Sequence, residues 1–205
     1  MLNTRFYVLC FLISFLSGCS GLDKKEPIQL VDDYNIALGY ANAGKLEEAD
    51  ILLDKLIVFA QSLDAYQTHS RALILKGRLA KVREDIEGVP VSSTTLELFN
   101  QSIKAADKLG NAGLRSYARY QLMGLQYQSR QYEEVCQQFD FVVALLEGAT
   151  QEELQFFEFE SESHDSAIEL VEARYGYFCK RQRNPGFSKE WYDENGRLRV
   201  YKRSL

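Results

Sequence analysis

Histidine is nearly absent from this chain, and its two copies have no chemical company. His69 and His164 stand far apart, and neither has a Cys or His partner at short spacing. Zinc sites are built from such clusters, so none is expected. Glycines are scattered singly rather than gathered into a phosphate-binding loop, which argues against nucleotide chemistry. No serine or cysteine lies in a recognisable nucleophile elbow. Proline occurs three times, with Pro27 ahead of the first helical pattern and Pro90 in a break between two others, so little interrupts helix formation. The net charge is −5 over 205 residues, and no nucleic-acid partner is indicated. No apolar run reaches the roughly 20 residues needed to cross a bilayer. No cofactor is expected, apart from a covalent lipid for which the amino terminus argues.

There, Arg5 is followed by an apolar stretch from Phe6 to Leu16 and then by the small residues Ser17 and Gly18. That order is the layout of a secretory signal. An Ala-x-Ala cleavage site is missing, and the chain reads Leu16-Ser17-Gly18-Cys19 instead. This tetrad resembles the bacterial lipobox. The resemblance implies that Cys19 receives a diacylglycerol, that residues 1–18 are removed, and that the new amino group is acylated. Each buried methylene contributes about 0.8 kcal/mol and stable anchoring takes two signals, so such a chain stays on its membrane. Ser20 rather than Asp follows the Cys, which by resemblance to enterobacterial sorting implies the outer membrane, periplasmic face.

Arg5 is the one charged residue of the first 18, so the chain from Cys19 onward carries a net charge of about −6. Cys10 leaves with the signal and Cys19 is spent on lipid, which leaves Cys136 and Cys179. An exported chain permits a disulfide between them. A bridge needs Cα atoms within about 7 Å; buried free thiols acting as small apolar residues are the alternative.

Residues 19–27 read as the lipidated Cys and a short tether, residues 28–180 as a helical domain, and residues 181–205 as a basic tail. Apolar residues at three- and four-residue spacing predict helices at 28–43, 46–62, 65–84, 93–109, 113–129 and 131–147. Short turns between them make an all-α array of antiparallel hairpins. A seventh helix over 151–180, with a stripe of Ile168, Val171, Tyr175 and Phe178, is expected to cap the array, because stacked hairpins need closed ends. Asn195-Gly196 between Trp191 and Tyr201 predicts a small β-hairpin in the tail.

Two stretches share a pattern. Ile36-Ala37-x-x-Tyr40 precedes Gly44-Lys45-Leu46-Glu47-Glu48-Ala49, and Tyr120-x-x-Met123-Gly124-x-x-Tyr127 precedes Gln131-Tyr132-Glu133-Glu134-Val135. Both resemble the tetratricopeptide repeat. The two copies lie 86 residues apart, Asp33 stands where the pattern has an aromatic, and neither copy ends in the usual proline. The pair between them, with Gly77 on one helix and Phe99, Ile103 and Ala106 on the next, follows the pattern poorly. The resemblance implies a binding groove lined by the first helix of each pair: here Tyr34, Leu38 and Ala41, then Gln121, Leu125 and Gln128.

Charge is uneven near the end of the chain. Eight acidic residues and one basic residue lie between Gln151 and Cys179, whereas eight basic and three acidic residues follow from Lys180 onward. Helical spacing would put Glu158, Glu162 and Asp165 on one face beside His164.

These readings lead to a non-enzymatic, membrane-anchored adaptor or assembly factor binding an envelope protein or peptide. Tetratricopeptide lipoproteins of this form serve outer-membrane assembly, pilus or secretion systems, and similar machines. The alternatives are a cell-envelope hydrolase working through the acidic helix around His164, and a passive structural lipoprotein whose basic tail meets a membrane. A Cys19→Ser variant is expected to incorporate no labelled fatty acid during growth, where the natural chain does. Equal labelling of the two would sink the lipobox reading.

Overall fold

A computed structural model describes residues 26–157 and 164–183. Six long helices lie within them: α1 (Ile28–Asn42), α2 (Leu46–Ser62), α3 (Tyr66–Glu87), α4 (Ser93–Leu109), α5 (Ala112–Gln128) and α6 (Tyr132–Gly148). A single turn, α7 (Gln151–Leu154), then precedes α8 (His164–Val171), a π turn (Glu172–Gly176) and α9 (Tyr177–Arg183). Each long helix packs on its neighbour in sequence, giving the expected all-α array of helical hairpins. The described residues contain no strand, and no helix among them is long and apolar enough to cross a membrane. The signal segment, Cys19, most of the tether, and the tail beyond Arg183 with its expected hairpin lie outside the described residues.

Four of the helix ends close in the same way. After α1, α2, α3 and α5 the chain places Gly44, Asp64, Gly88 and Arg130 in the left-handed region, at φ 73°, 54°, 69° and 60°. The next residue's N–H then donates to a carbonyl five residues back: Lys45 to Tyr40, Ala65 to Ala60, Val89 to Glu84 and Gln131 to Gln126, at 2.8–2.9 Å. This closure satisfies carbonyls that the helix end leaves open. Asp64 and Arg130 hold a side chain where L-residues pay roughly 1–2 kcal/mol.

The starts of the middle helices are capped from a distance. Ala65 precedes α3 and has no side-chain acceptor. The Glu26 carboxylate takes its place, accepting from Gln67 N at 2.8 Å and Thr68 N at 3.0 Å. Ser92 caps α4 locally through Thr95 N, while Glu84 from the end of α3 accepts from Ser92 N at 3.0 Å and Thr95 Oγ1 at 2.6 Å. Asn111 caps α5 through Leu114 N, and Glu153 adds a bond from Ala112 N, each at 2.9 Å. Anionic acceptors at helix starts also meet the positive end of the helix dipole.

The apolar interior falls into two clusters. One joins α1, α2 and α3 through residues such as Leu30, Leu53, Leu56, Leu75 and Leu79. The other joins α3 to the later elements through Ile74, Phe99, Leu114, Met123, Val142, Leu146 and Val171. Gly77 of α3 lets the Phe99 ring of α4 approach closely, so the Gly77–Phe99 packing is present although this pair departs most from the repeat pattern.

The seventh helix differs from expectation. Instead of running through 151–180 it stops after one turn, because its residues are committed elsewhere. Thr150 and Glu153 form a reciprocal capping box, and Glu153 also reaches Ala112 N. Phe157 then turns into the core against Tyr117 and Tyr120, with ring centroids 6.1 and 5.5 Å away. Farther on, the buried stripe is Ala167, Val171, Tyr175 and Cys179, with Ile168 and Phe178 only half-buried. A strict four-residue spacing drifts by about 40° per step in an α-helix of 3.6 residues per turn. The wider π turn takes up that drift and keeps the stripe facing inward.

The close approaches make a graded test. At Gly113 a Cβ would overlap the Glu153 carbonyl oxygen, and at Gly77 it would lie 2.5 Å from the Phe99 ring, whereas Gly39 has nothing within 4 Å. Gly77→Ala and Gly113→Ala should each cost about 1–3 kcal/mol, lowering Tm by roughly 2–4 °C per kcal/mol. Gly39→Ala should be neutral or stabilising. Calorimetry that ranks Gly39→Ala with the other two would contradict this packing.

Candidate functional site

The first helix of each long hairpin, α1, α3 and α5, turns one side toward a common concavity. It encloses a cavity of about 490 Å³. Leu38 and Asn42 line it from the end of α1, Arg78, Lys81 and Val82 from α3, and Phe99 from α4. Tyr117, Tyr120, Gln121, Gly124, Leu125 and Gln128 form the α5 wall, and Arg174 and Tyr175 of the π turn close the far side.

Four of the six groove residues expected from sequence, Leu38, Gln121, Leu125 and Gln128, therefore meet in one place. Tyr34 and Ala41 are not among the lining residues. Tyr34 is buried in the N-terminal core with the Arg71 guanidinium 4.3 Å from its ring centroid, and Ala41 packs half-buried against the same core. Sequence reasoning missed the α3 contribution. Its signal was present, since Arg78, Lys81 and Val82 are spaced by three and four residues and so share a helix face.

The walls combine aromatic surface with positive charge. Arg174 donates to the Tyr120 hydroxyl at 2.9 Å, and its guanidinium carbon lies 5.7 and 5.8 Å from the Tyr120 and Tyr175 ring centroids. Such cation–π contacts are worth about 0.5–2 kcal/mol, depending on desolvation. Gly124 lies beside Tyr175, where a Cβ would make an ordinary 3.5 Å contact with the Tyr175 hydroxyl. Edge-to-face rings continue the wall, with Tyr175 and Tyr127 centroids 6.0 Å apart and Tyr127 and Phe178 5.6 Å apart. Lys81 pairs with Asp85 on its own helix.

Comparison with known protein families, with characterised proteins and with solved structures finds no match to this chain.

The other candidate residues fall elsewhere. His69, near the start of α3, lies away from the cavity, and burial together with nearby Lys108 holds its imidazole below the ordinary range. The Glu84 carboxyl is pushed up by burial, but hydrogen bonds from Ser92 and Thr95 and the charge of Lys81 outweigh this and hold it below the ordinary range. It is spent on capping α4. Glu158 and Glu162, and the side chains of His164 and Asp165, lie outside the described residues. Among the described residues no three His, Cys, Asp or Glu side chains gather as a metal would require.

Cys136 of α6 and Cys179 of α9 are bridged, with Cα atoms 5.2 Å apart. Arg183 reinforces the link, donating to the Cys136 carbonyl at 2.9 Å and to Asp140 at 2.8 Å. The bridge spans 43 residues of sequence, and in the chain-entropy account a loop of that size contributes about 4 kcal/mol. Reduction should lower the unfolding free energy by about that amount and speed amide exchange across 172–183 while leaving α1–α3 unchanged. Unaltered exchange in 172–183, or two thiols alkylated without reductant, would remove the bridge from this role.

Proposed function

We propose that this chain is a lipid-anchored envelope lipoprotein that binds a protein or peptide partner in the concave cavity of a tetratricopeptide-like array. Cys19 carries the lipid, which places the domain on the periplasmic face of the outer membrane. Its work is contact rather than catalysis. One observation carries the reading: Leu38 of α1 and Gln121, Leu125 and Gln128 of α5, singled out for a groove, line one cavity. Aromatic and guanidinium groups in the walls support it, since Tyr and Arg are enriched where partners dock.

A photo-crosslinking residue at Gln121 or Gln128 of the lipidated chain should capture one defined envelope protein, whereas the same probe at exposed Gln137 on α6 should not. Arg78→Glu should reduce that capture about tenfold, equivalent to about 1.4 kcal/mol, with helical circular dichroism unchanged. The reading fails if the yield is the same from Gln137, or if Gln121 and Gln128 capture nothing.

A further inference from the structure

Helix α2 carries exposed apolar side chains besides its buried ones. Ala49, Leu53, Leu56 and Ala60 are buried against the N-terminal core. At about 100° per residue, Ile51 and Val58 fall opposite that side and Phe59 on its flank, and they are 59%, 68% and 47% exposed. The outer side is graded along its length. The charged residues of α2, Asp54 and Lys55 on the outer side among them, all lie between Glu47 and Lys55, whereas none follows from Leu56 to Leu63, which is 41% exposed in the next turn. A surface helix ordinarily turns a charged and polar face outward, and this end of α2 turns Val58 and Phe59 outward without a charge beside them.

The anchored end of the chain arrives at this same corner. Glu26 is fixed by its carboxylate to Gln67 N and Thr68 N, one turn beyond Leu63. Two residues later, Ile28 is 79% exposed. Cys19 lies seven residues before Glu26, a span of at most about 25 Å when fully extended. A bilayer holding the Cys19 lipid is therefore never farther than that from Glu26, at the corner where Ile28, Val58, Phe59 and Leu63 are exposed.

We propose that this corner is a membrane-contacting surface, with those four side chains resting in the interfacial layer of the bilayer that holds the lipid. The proposal rests on the lipidation reading given above. It supplies a second apolar contact beside the acyl chains, and it keeps the acidic start of α2 away from the lipid. The domain is thereby held in one orientation.

The test uses the full lipidated chain, with its natural tryptophan removed by Trp191→Phe, in vesicles of phosphatidylethanolamine and phosphatidylglycerol. Val58→Trp is compared with Gln137→Trp on α6. Brominated acyl chains should quench the Val58→Trp probe at least threefold more than the Gln137→Trp probe, and aqueous iodide should quench it less. Equal bromolipid quenching of both probes overturns the membrane surface while leaving the anchor standing. Protection of Val58→Trp from iodide without bromolipid quenching also overturns it, since the cover is then protein. Intact mass settles the premise separately: a chain with no lipid on Cys19 removes the anchoring reading and this proposal with it.

Discussion

Both apolar clusters depend on α3. A single helical hairpin cannot bury its apolar side alone, so each must borrow a neighbour, and α3 is lent in two directions. Ala72, Leu75 and Leu79 belong to the N-terminal cluster, while Ile74 belongs to the other and Gly77 admits Phe99. Its last turn is left to solvent, with Ile86 74% exposed. Of its cations, Lys76 and Arg83 pair with Asp54 and Asp50 on α2, while Arg78 and Lys81 line the cavity. The helix that joins the two cores thus also supplies much of the cavity's charge. Substitutions on α3 consequently combine effects on packing with effects on the site.

The six long helices were legible because both of their signals are local. Three- and four-residue apolar spacing marks the interiors, and Gly44, Gly88 and Gly110 mark ends in the left-handed region. Asp64 and Arg130 take the same conformation without glycine, so composition alone marks those turns weakly. The long-range caps were not legible at all. Nothing near Ala65 announces that Glu26, about forty residues earlier, accepts from the start of α3. Spacing within a helix carries no information about a carboxylate brought in by the fold.

The site was legible by halves for a related reason. Periodicity separates the sides of a helix but does not say which apolar side faces a core and which a concavity. Tyr34 and Leu38 are one turn apart on α1, yet Tyr34 is buried beneath Arg71 and Leu38 reaches the cavity. The same ambiguity misled the reading of 151–180 as one helix, since Phe157 fits a helical stripe as well as it fits the core between Tyr117 and Tyr120. The Cys136–Cys179 bridge was suggested by elimination, and the fold supplies the proximity that sequence lacked.

The π turn at Glu172–Gly176 carries a consequence for how this chain can vary. Tyr175 must reach the cavity and Cys179 must reach Cys136 from one short helical segment. In a regular α-helix the four-residue step from one to the other rotates the second about 40° past the first, and the extra residue of the π turn absorbs that rotation. The segment is therefore intolerant of length change in a way its composition does not reveal. Losing one residue would restore an ordinary helix but set the ring and the sulfur at odds, so that aligning either one misdirects the other. Side chains along this segment can be exchanged one at a time, but its residue count is fixed by two partners on two different helices.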